Sequence, residues 1–208
     1  MDHHLASDLH QLDMILAQVR SLALDYLQTI DTRPASAHYT PVTPHPLPES
    51  GVGAAQGLRL FAERYGQHMP ASNGPRFWGF VTGGATPAAL AADWLVSAYD
   101  LNLSAAANSI APNIEYEALA LLRDLFDLPP SFHGIFVTGA TMANVTGLAI
   151  GREWLARQHG VSSAQQGLHA APPVTVLSGA AHSSVGKALA ILGMGRNALQ
   201  PAPTLPGT

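Results

Sequence analysis

The sequence contains no cysteine. Disulfides and thiolate metal sites are therefore excluded, and the composition fits a cytoplasmic setting. Lysine is almost as scarce: Lys187 is the single one in 208 residues, so chemistry that needs a lysine amine has one candidate. Charged residues make up only 12% of the chain, and the other basic side chains, Arg20, Arg33, Arg59, Arg64, Arg76, Arg123, Arg152, Arg157 and Arg196, are scattered singly. With no basic patch and a net charge of −4, neither nucleic acid nor an anionic membrane is an expected partner. No apolar run reaches the ~20 residues of a membrane span. The start, Met1-Asp2-His3-His4, lacks the basic region and apolar run of a secretory signal. An apolar fraction of 47% nonetheless predicts a soluble globular chain with a sizeable core.

Periodicity orders the elements. Leu9, Leu12, Ile15, Leu16, Val19, Leu22, Leu24 and Leu27 recur at helical spacing, predicting a helix over about Leu5–Ile30. Pro34, Pro41, Pro44, Pro46 and Pro48 make residues 32–50 an extended connector, because proline fixes φ and removes an amide donor. A short helix follows near Ala54–Tyr65, and Asn73-Gly74-Pro75 breaks the chain before the aromatic run Phe77-Trp78-Gly79-Phe80. Thr86-Pro87 supplies an N-cap and first-turn pair for a helix to about Tyr99, and another runs from Asn113 to Phe126. The pattern then changes. Gly134–Thr138 predicts a buried strand, Gly139-Ala140-Thr141 a turn and Met142–Gln158 a helix; Val174–Leu177 predicts a second strand, followed by a helix over His182–Leu192. Strand, turn and helix twice over indicate an α/β domain with a largely parallel sheet. The tail from Pro201 to Thr208 carries no evident closing element.

Two motifs carry candidate chemistry. Thr138-Gly139-Ala140-Thr141-Met142-Ala143-Asn144 sits between a strand and a helix, where unpaired amides and the positive end of the helix dipole favour an anion such as phosphate. An ordinary tight turn is the competing reading. Gly51-Val52-Gly53 does not complete a dinucleotide fingerprint, because its next glycine, Gly57, comes one residue too late; Gly186-Lys187 lacks the glycine a P-loop demands. The second motif is Ala181-His182-Ser183-Ser184-Val185-Gly186-Lys187-Ala188. His182 falls at the carboxyl end of the second strand, where open α/β sheets bind ligands; a capping or core histidine is the alternative. The glycine spacing of a nucleophile elbow is missing around Ser183 and Ser184. His3, His4 and His10 sit near a terminus and read as solvated, His38 and His45 lie in the proline connector, and His68, His133, His159 and His169 lack metal-ligand spacing, so no metal is expected.

Together the two motifs resemble group II pyridoxal-phosphate-dependent amino-acid decarboxylases, which act on aromatic amino acids, histidine or glutamate. Members of that family carry such a Gly-rich turn and, some tens of residues on, a histidine in an Ala-His-Ser-Ser-x-x-Lys-Ala setting. Pro75-Arg76-Phe77-Trp78-Gly79-Phe80-Val81-Thr82 is similar to the family's aromatic active-site segment, and Asp25-Tyr26-Leu27 before Arg33-Pro34 is similar to its swapped N-terminal arm. The resemblance implies that Ala140 and Thr141 bind the cofactor phosphate and that His182 stacks on the pyridine ring and positions the substrate carboxylate. It further implies that Thr82 lines the cofactor edge and Phe80 the substrate pocket. Met142 departs from a place where the family often has a polar or acidic residue. Gly79 stands where some aromatic-acid decarboxylases place a ring.

The family's Schiff-base lysine and the acidic partner of its pyridine nitrogen lie beyond the histidine, near His-Lys and Asp-Ala motifs that do not occur in this sequence. Lys187 matches the lysine of the histidine motif and is expected to be structural. The implied fold is the aminotransferase-like α/β fold, with a helical arm and connector over residues 1–72 and the first half of the large domain over 73–208. The implied function is decarboxylation of an amino acid with pyridoxal 5′-phosphate, in a cytoplasmic homodimer built through the Leu9–Leu27 helix, the 208 residues alone being inactive. A silent or partner-binding truncated homologue is one alternative; another pyridoxal-phosphate lyase or transferase of the same fold is the other.

Overall fold

The computed structural model describes residues 3–36, 43–44, 46–102 and 108–204. His38, Pro41 and His45 of the connector and Pro206 of the tail lie outside the described residues. The chain divides into two compact units, residues 1–100 and 101–208, so the arm boundary expected at 72/73 falls inside the first. Among the described residues, no helix is long and apolar enough to cross a membrane.

The first unit is helical. The expected helix over Leu5–Ile30 is two helices, α1 (His3–His10) and α2 (Leu12–Gln28). Gln11 interrupts them with φ −105° and ψ 15°, while its amide still donates to the Ser7 and Asp8 carbonyls (3.0 and 3.1 Å) and its side chain to Ser7 Oγ (2.8 Å). Helix α3 (Ala54–Tyr65) starts after Gly53, which has φ +75° and no side chain to cap it. Asp8 of α1 supplies the missing cap by accepting from the Ala54 amide (2.9 Å). Arg33 binds Asp25 (3.2 Å) and Thr29 Oγ1 (2.8 Å) and lies over the Tyr26 ring. The Tyr26 hydroxyl donates to the Pro70 carbonyl (2.7 Å), and Arg76 donates to the carbonyls of Asp31 and Arg33. The end of α2 is thus tied to the segment that leads into the aromatic run. Helix α4 (Pro87–Tyr99) begins as expected, with Thr86 Oγ1 accepting from the Ala89 amide (3.2 Å) and Pro87 in the first turn.

The second unit holds α5 (Ala111–Leu125), α6 (Ala140–Gln158), the single turn α7 (Ser163–Gln166), strand β1 (Val176–Ser178), α8 (Ser183–Ile191) and strand β2 (Leu199–Pro201). Strands β1 and β2 pair in parallel, Val176 opposite Leu199 and Ser178 opposite Pro201, with α8 as the crossover between them. Strand β2 shares only Pro201 with the tail. The Gly134–Thr138 expectation is corrected: these residues form no ladder, and among the described residues the sheet has two strands. A strand exists only through its neighbour's hydrogen bonds, and here the Phe136 amide donates to the Glu115 carboxylate instead (3.0 Å).

The core of the unit lies between α6 and α8. Val145 and Ala156 of α6 are buried, as are Ser184, Ala188 and Leu189 of α8, the last two fully. Asn144 of α6 bonds Ser184 of α8, and Arg152 of α6 bonds the Leu192 carbonyl at the end of α8 (3.1 Å). Both contacts join residues forty apart in sequence, at positions 144 and 152 on one helix and 184 and 192 on the other. The two helices therefore run parallel over about 12 Å at 1.5 Å per residue, and their N-termini lie at the same end.

Candidate active site

That shared end collects the residues singled out by the sequence in the second unit. Gly139 precedes α6 with φ +146° and ψ 175°, a backbone region open essentially to glycine alone. No side chain caps the helix it opens. The amides of Ala140, Thr141 and Met142, which precede the first intrahelical donor at Ala143, are consequently left for an external acceptor. Ala140 and Thr141 are exposed. The helix starts two residues earlier than the expected Met142, so Ala140 and Thr141 belong to its first turn and not to the turn before it.

His182 stands immediately before α8 with φ −62° and ψ 148° and is its N-cap. Its Nδ1 accepts from the Ser184 amide (3.2 Å) and lies 2.8 Å from Ser184 Oγ, which in turn accepts from Asn144 Nδ2 (2.8 Å). Ser184 is only 5% exposed, whereas His182 is exposed. Capping and an outward ring are thus compatible: one nitrogen serves the helix and the other ring edge is free. Asn144 lies four residues into α6 from Ala140, roughly 6 Å along the axis, so the open turn of α6 and the His182 ring are neighbours. Two parallel helix N-termini at one place concentrate positive potential there.

Phe80 and Thr82 belong to the first unit and form part of a turn of their own. The Thr82 amide donates to the Gly79 carbonyl (3.2 Å). Phe80 and Val81 have φ of +56° and +61°, and Phe80 is 96% exposed. A Cβ on Gly79 would come within 3.1 Å of the Phe77 ring, which folds over it. Lys187 is exposed on α8.

The sequence did not single out Asn144 or Ser184 for a site role. The available signal was local: a capping side chain accepts from the backbone amide two or three residues on, which here is that of Ser184. The partner on α6 follows only from helix packing. Glu153 was also missed. Its Oε1 accepts from Ser162 Oγ (2.7 Å) and Arg157 Nε (3.4 Å), and its Oε2 from the Ala164 amide (3.2 Å). The Ser162 hydrogen bond is the largest effect on the Glu153 carboxyl; desolvation opposes it, and the Ala164 and Arg157 contacts add to it, so the carboxyl is held below its ordinary pKa.

No family model matches the chain. Individual proteins do. An L-2,4-diaminobutyrate decarboxylase of Rhizobium meliloti is 32% identical over 155 residues, covering 74% of this chain and 29% of the relative. An aromatic-L-amino-acid decarboxylase of Bacillus atrophaeus is 28% identical over 148 residues, covering 71% and 29%. Among solved structures, Oryza sativa TDC with PLP and tryptamine superposes with a TM-score of 0.77 at 21% identity, over 94% of this chain and 44% of the other. The fold is therefore that of the pyridoxal-phosphate decarboxylases, the aminotransferase-like fold, represented in part. The chain spans about 29% of the length of the curated relatives it matches. By sequence and by fold, it is similar to the group II pyridoxal-phosphate-dependent amino-acid decarboxylases, whose N-terminal part it matches.

Proposed function

We propose that these 208 residues are the cofactor-cradling N-terminal part of a pyridoxal 5′-phosphate-dependent amino-acid decarboxylase, a carboxy-lyase. The observation that carries this reading is the common end of α6 and α8, where an uncapped helix N-terminus and an outward-facing His182 stand side by side. The residues fit the group. A phosphate dianion matches the free amides of Ala140 and Thr141 and the Thr141 hydroxyl, and the exposed His182 ring offers a face to an aromatic heterocycle.

When bound, pyridoxal phosphate supplies the pyridine ring that takes up the electron pair left by a departing carboxyl group. The chain's own part is to hold and orient. Ala140 and Thr141 anchor the phosphate, and His182 packs on the ring and positions the substrate carboxylate. Lys187 is structural, and the lysine that holds the cofactor covalently is supplied outside residues 1–208. The protein works as a cytoplasmic homodimer whose N-terminal arms pack on one another; the exposure of Leu5, Leu9, Leu12, Met14 and Leu16 on α1 and α2 supports such packing.

Thr141→Val tests the phosphate anchor, because it keeps the side-chain shape and removes one donor to a dianion. A charge-assisted hydrogen bond contributes about 1.5–3 kcal/mol, so affinity for pyridoxal phosphate, read by absorbance titration, should fall about tenfold or more while helicity is unchanged. Coincident titration curves would reduce Thr141 to a turn residue.

A further inference from the structure

We propose that Asn144 and Ser184 are positioning residues that lock His182 in one tautomer, with the ring proton on Nε2 facing outward as a hydrogen-bond donor. The proton directions follow from groups that can act in one way only. The Ser184 backbone N–H can only donate, and it lies 3.2 Å from His182 Nδ1, so Nδ1 must present its lone pair. Ser184 Oγ lies 2.8 Å from the same nitrogen and must then donate its hydroxyl proton to it. That leaves the Oγ lone pairs for a donor, which Asn144 Nδ2 provides at 2.8 Å. All three bonds agree: Asn144 donates to Ser184, and Ser184 donates twice to His182. With Nδ1 occupied as an acceptor, the neutral ring carries its proton on Nε2.

The opposite assignment fails at two places. A proton on Nδ1 would face the Ser184 N–H, donor against donor, and the Ser184 hydroxyl would lose its acceptor. Ser184 is 5% exposed, so water does not replace the missing partner and each mismatch carries its full cost. The device spans two helices. Asn144 on α6 sets a ring on α8, and the Arg152 bond to the Leu192 carbonyl fixes the same pair of helices at their other end.

The consequence, which rests on the cofactor reading above, is a division of labour at the imidazole. Nε2–H is available to donate to an oxygen anion such as a substrate carboxylate. It is not available to take a proton, so His182 positions its ligand and does not act as a base through Nε2.

The test is nitrogen-15 NMR of the histidine rings in the full 208-residue chain without cofactor, in solution or on a sedimented sample, with His182 assigned by the signal lost in His182→Gln. The expected result is one tautomer, Nδ1 unprotonated and Nε2 protonated. Asn144→Asp is nearly isosteric but can only accept, so it turns the Ser184 hydroxyl away from the ring. The ratio of Nε2–H to Nδ1–H should then fall roughly fivefold, one hydrogen bond's worth, and Ser184→Ala should lower it similarly. A wild-type ring protonated on Nδ1, an even tautomer mixture, or a folded Asn144→Asp variant with an unchanged ratio would overturn the relay. The readout needs no cofactor. A chain that shows the expected tautomer yet ignores pyridoxal phosphate would uphold the relay and contradict the proposed function.

Discussion

At the scale of single residues, Gly139 and His182 illustrate two kinds of information. Gly139 has open space where a Cβ would stand, so what it provides is conformational: φ +146°. Gly139→Ala should destabilise the second unit by about 1–3 kcal/mol through backbone strain, seen as a lower urea midpoint. It should also weaken pyridoxal phosphate binding, because the first turn of α6 would be displaced. An unchanged midpoint would mean that the turn relaxes without cost. His182 was visible in the sequence because its motif is contiguous, from Ala181 to Ala188. Its partner was not: Asn144 lies forty residues before Ser184, and only the parallel packing of α6 and α8 joins them. Thr141 was visible as a candidate, but its place inside the helix depends on Gly139 starting α6 earlier than the hydrophobic pattern indicates.

At the scale of elements, helix periodicity served well and strand patterning less so. Residue pattern placed α3, α5 and α8 within a few residues, and the Thr86-Pro87 cap placed α4. It could not show the break at Gln11, where a single residue leaves helical φ and ψ while the backbone bonds across it persist. The β-branched run near Val137 signals strand propensity, but a ladder also needs a neighbour, and β2 (Leu199–Pro201) is too short to register as a pattern. Two predictions belong here. Asp8→Ala removes the cap that α1 lends to α3; a loss of about 0.5–2 kcal/mol is expected from thermal or urea unfolding of the first unit. Glu153 ties α6 to the loop before α7, with a folded pKa below the ordinary value of 4.5. Its contribution is accordingly complete above that value and is lost as pH falls through the lower folded pKa. Glu153→Gln should be less stable than wild type near neutrality, with the gap closing as pH drops below about 4. Parallel unfolding curves at every pH would show that the clasp does not need the charge.

At the scale of the whole molecule, much apolar surface is left over. Leu177 in β1 is 69% exposed, and Ile135, Phe136, Ile150, Trp154 and Ile191 are exposed in the same unit. Parallel strands ordinarily have both faces covered, so the isolated 208 residues should self-associate, as sedimentation would show. They should also release no carbon dioxide from amino acids. Borohydride treatment with cofactor should leave no specific label on Lys187, as peptide mass mapping would reveal. The central claim, that the shared end of α6 and α8 is a phosphate anchor, is tested most directly by titrating the chain with pyridoxal 5′-phosphate and with pyridoxal. The anchor predicts that the phosphorylated form binds at least tenfold more tightly, about 1.4 kcal/mol, and that Thr141→Val erodes this preference while leaving the affinity for pyridoxal unchanged. Equal affinity for the two ligands, or a preference that Thr141→Val does not touch, would contradict it.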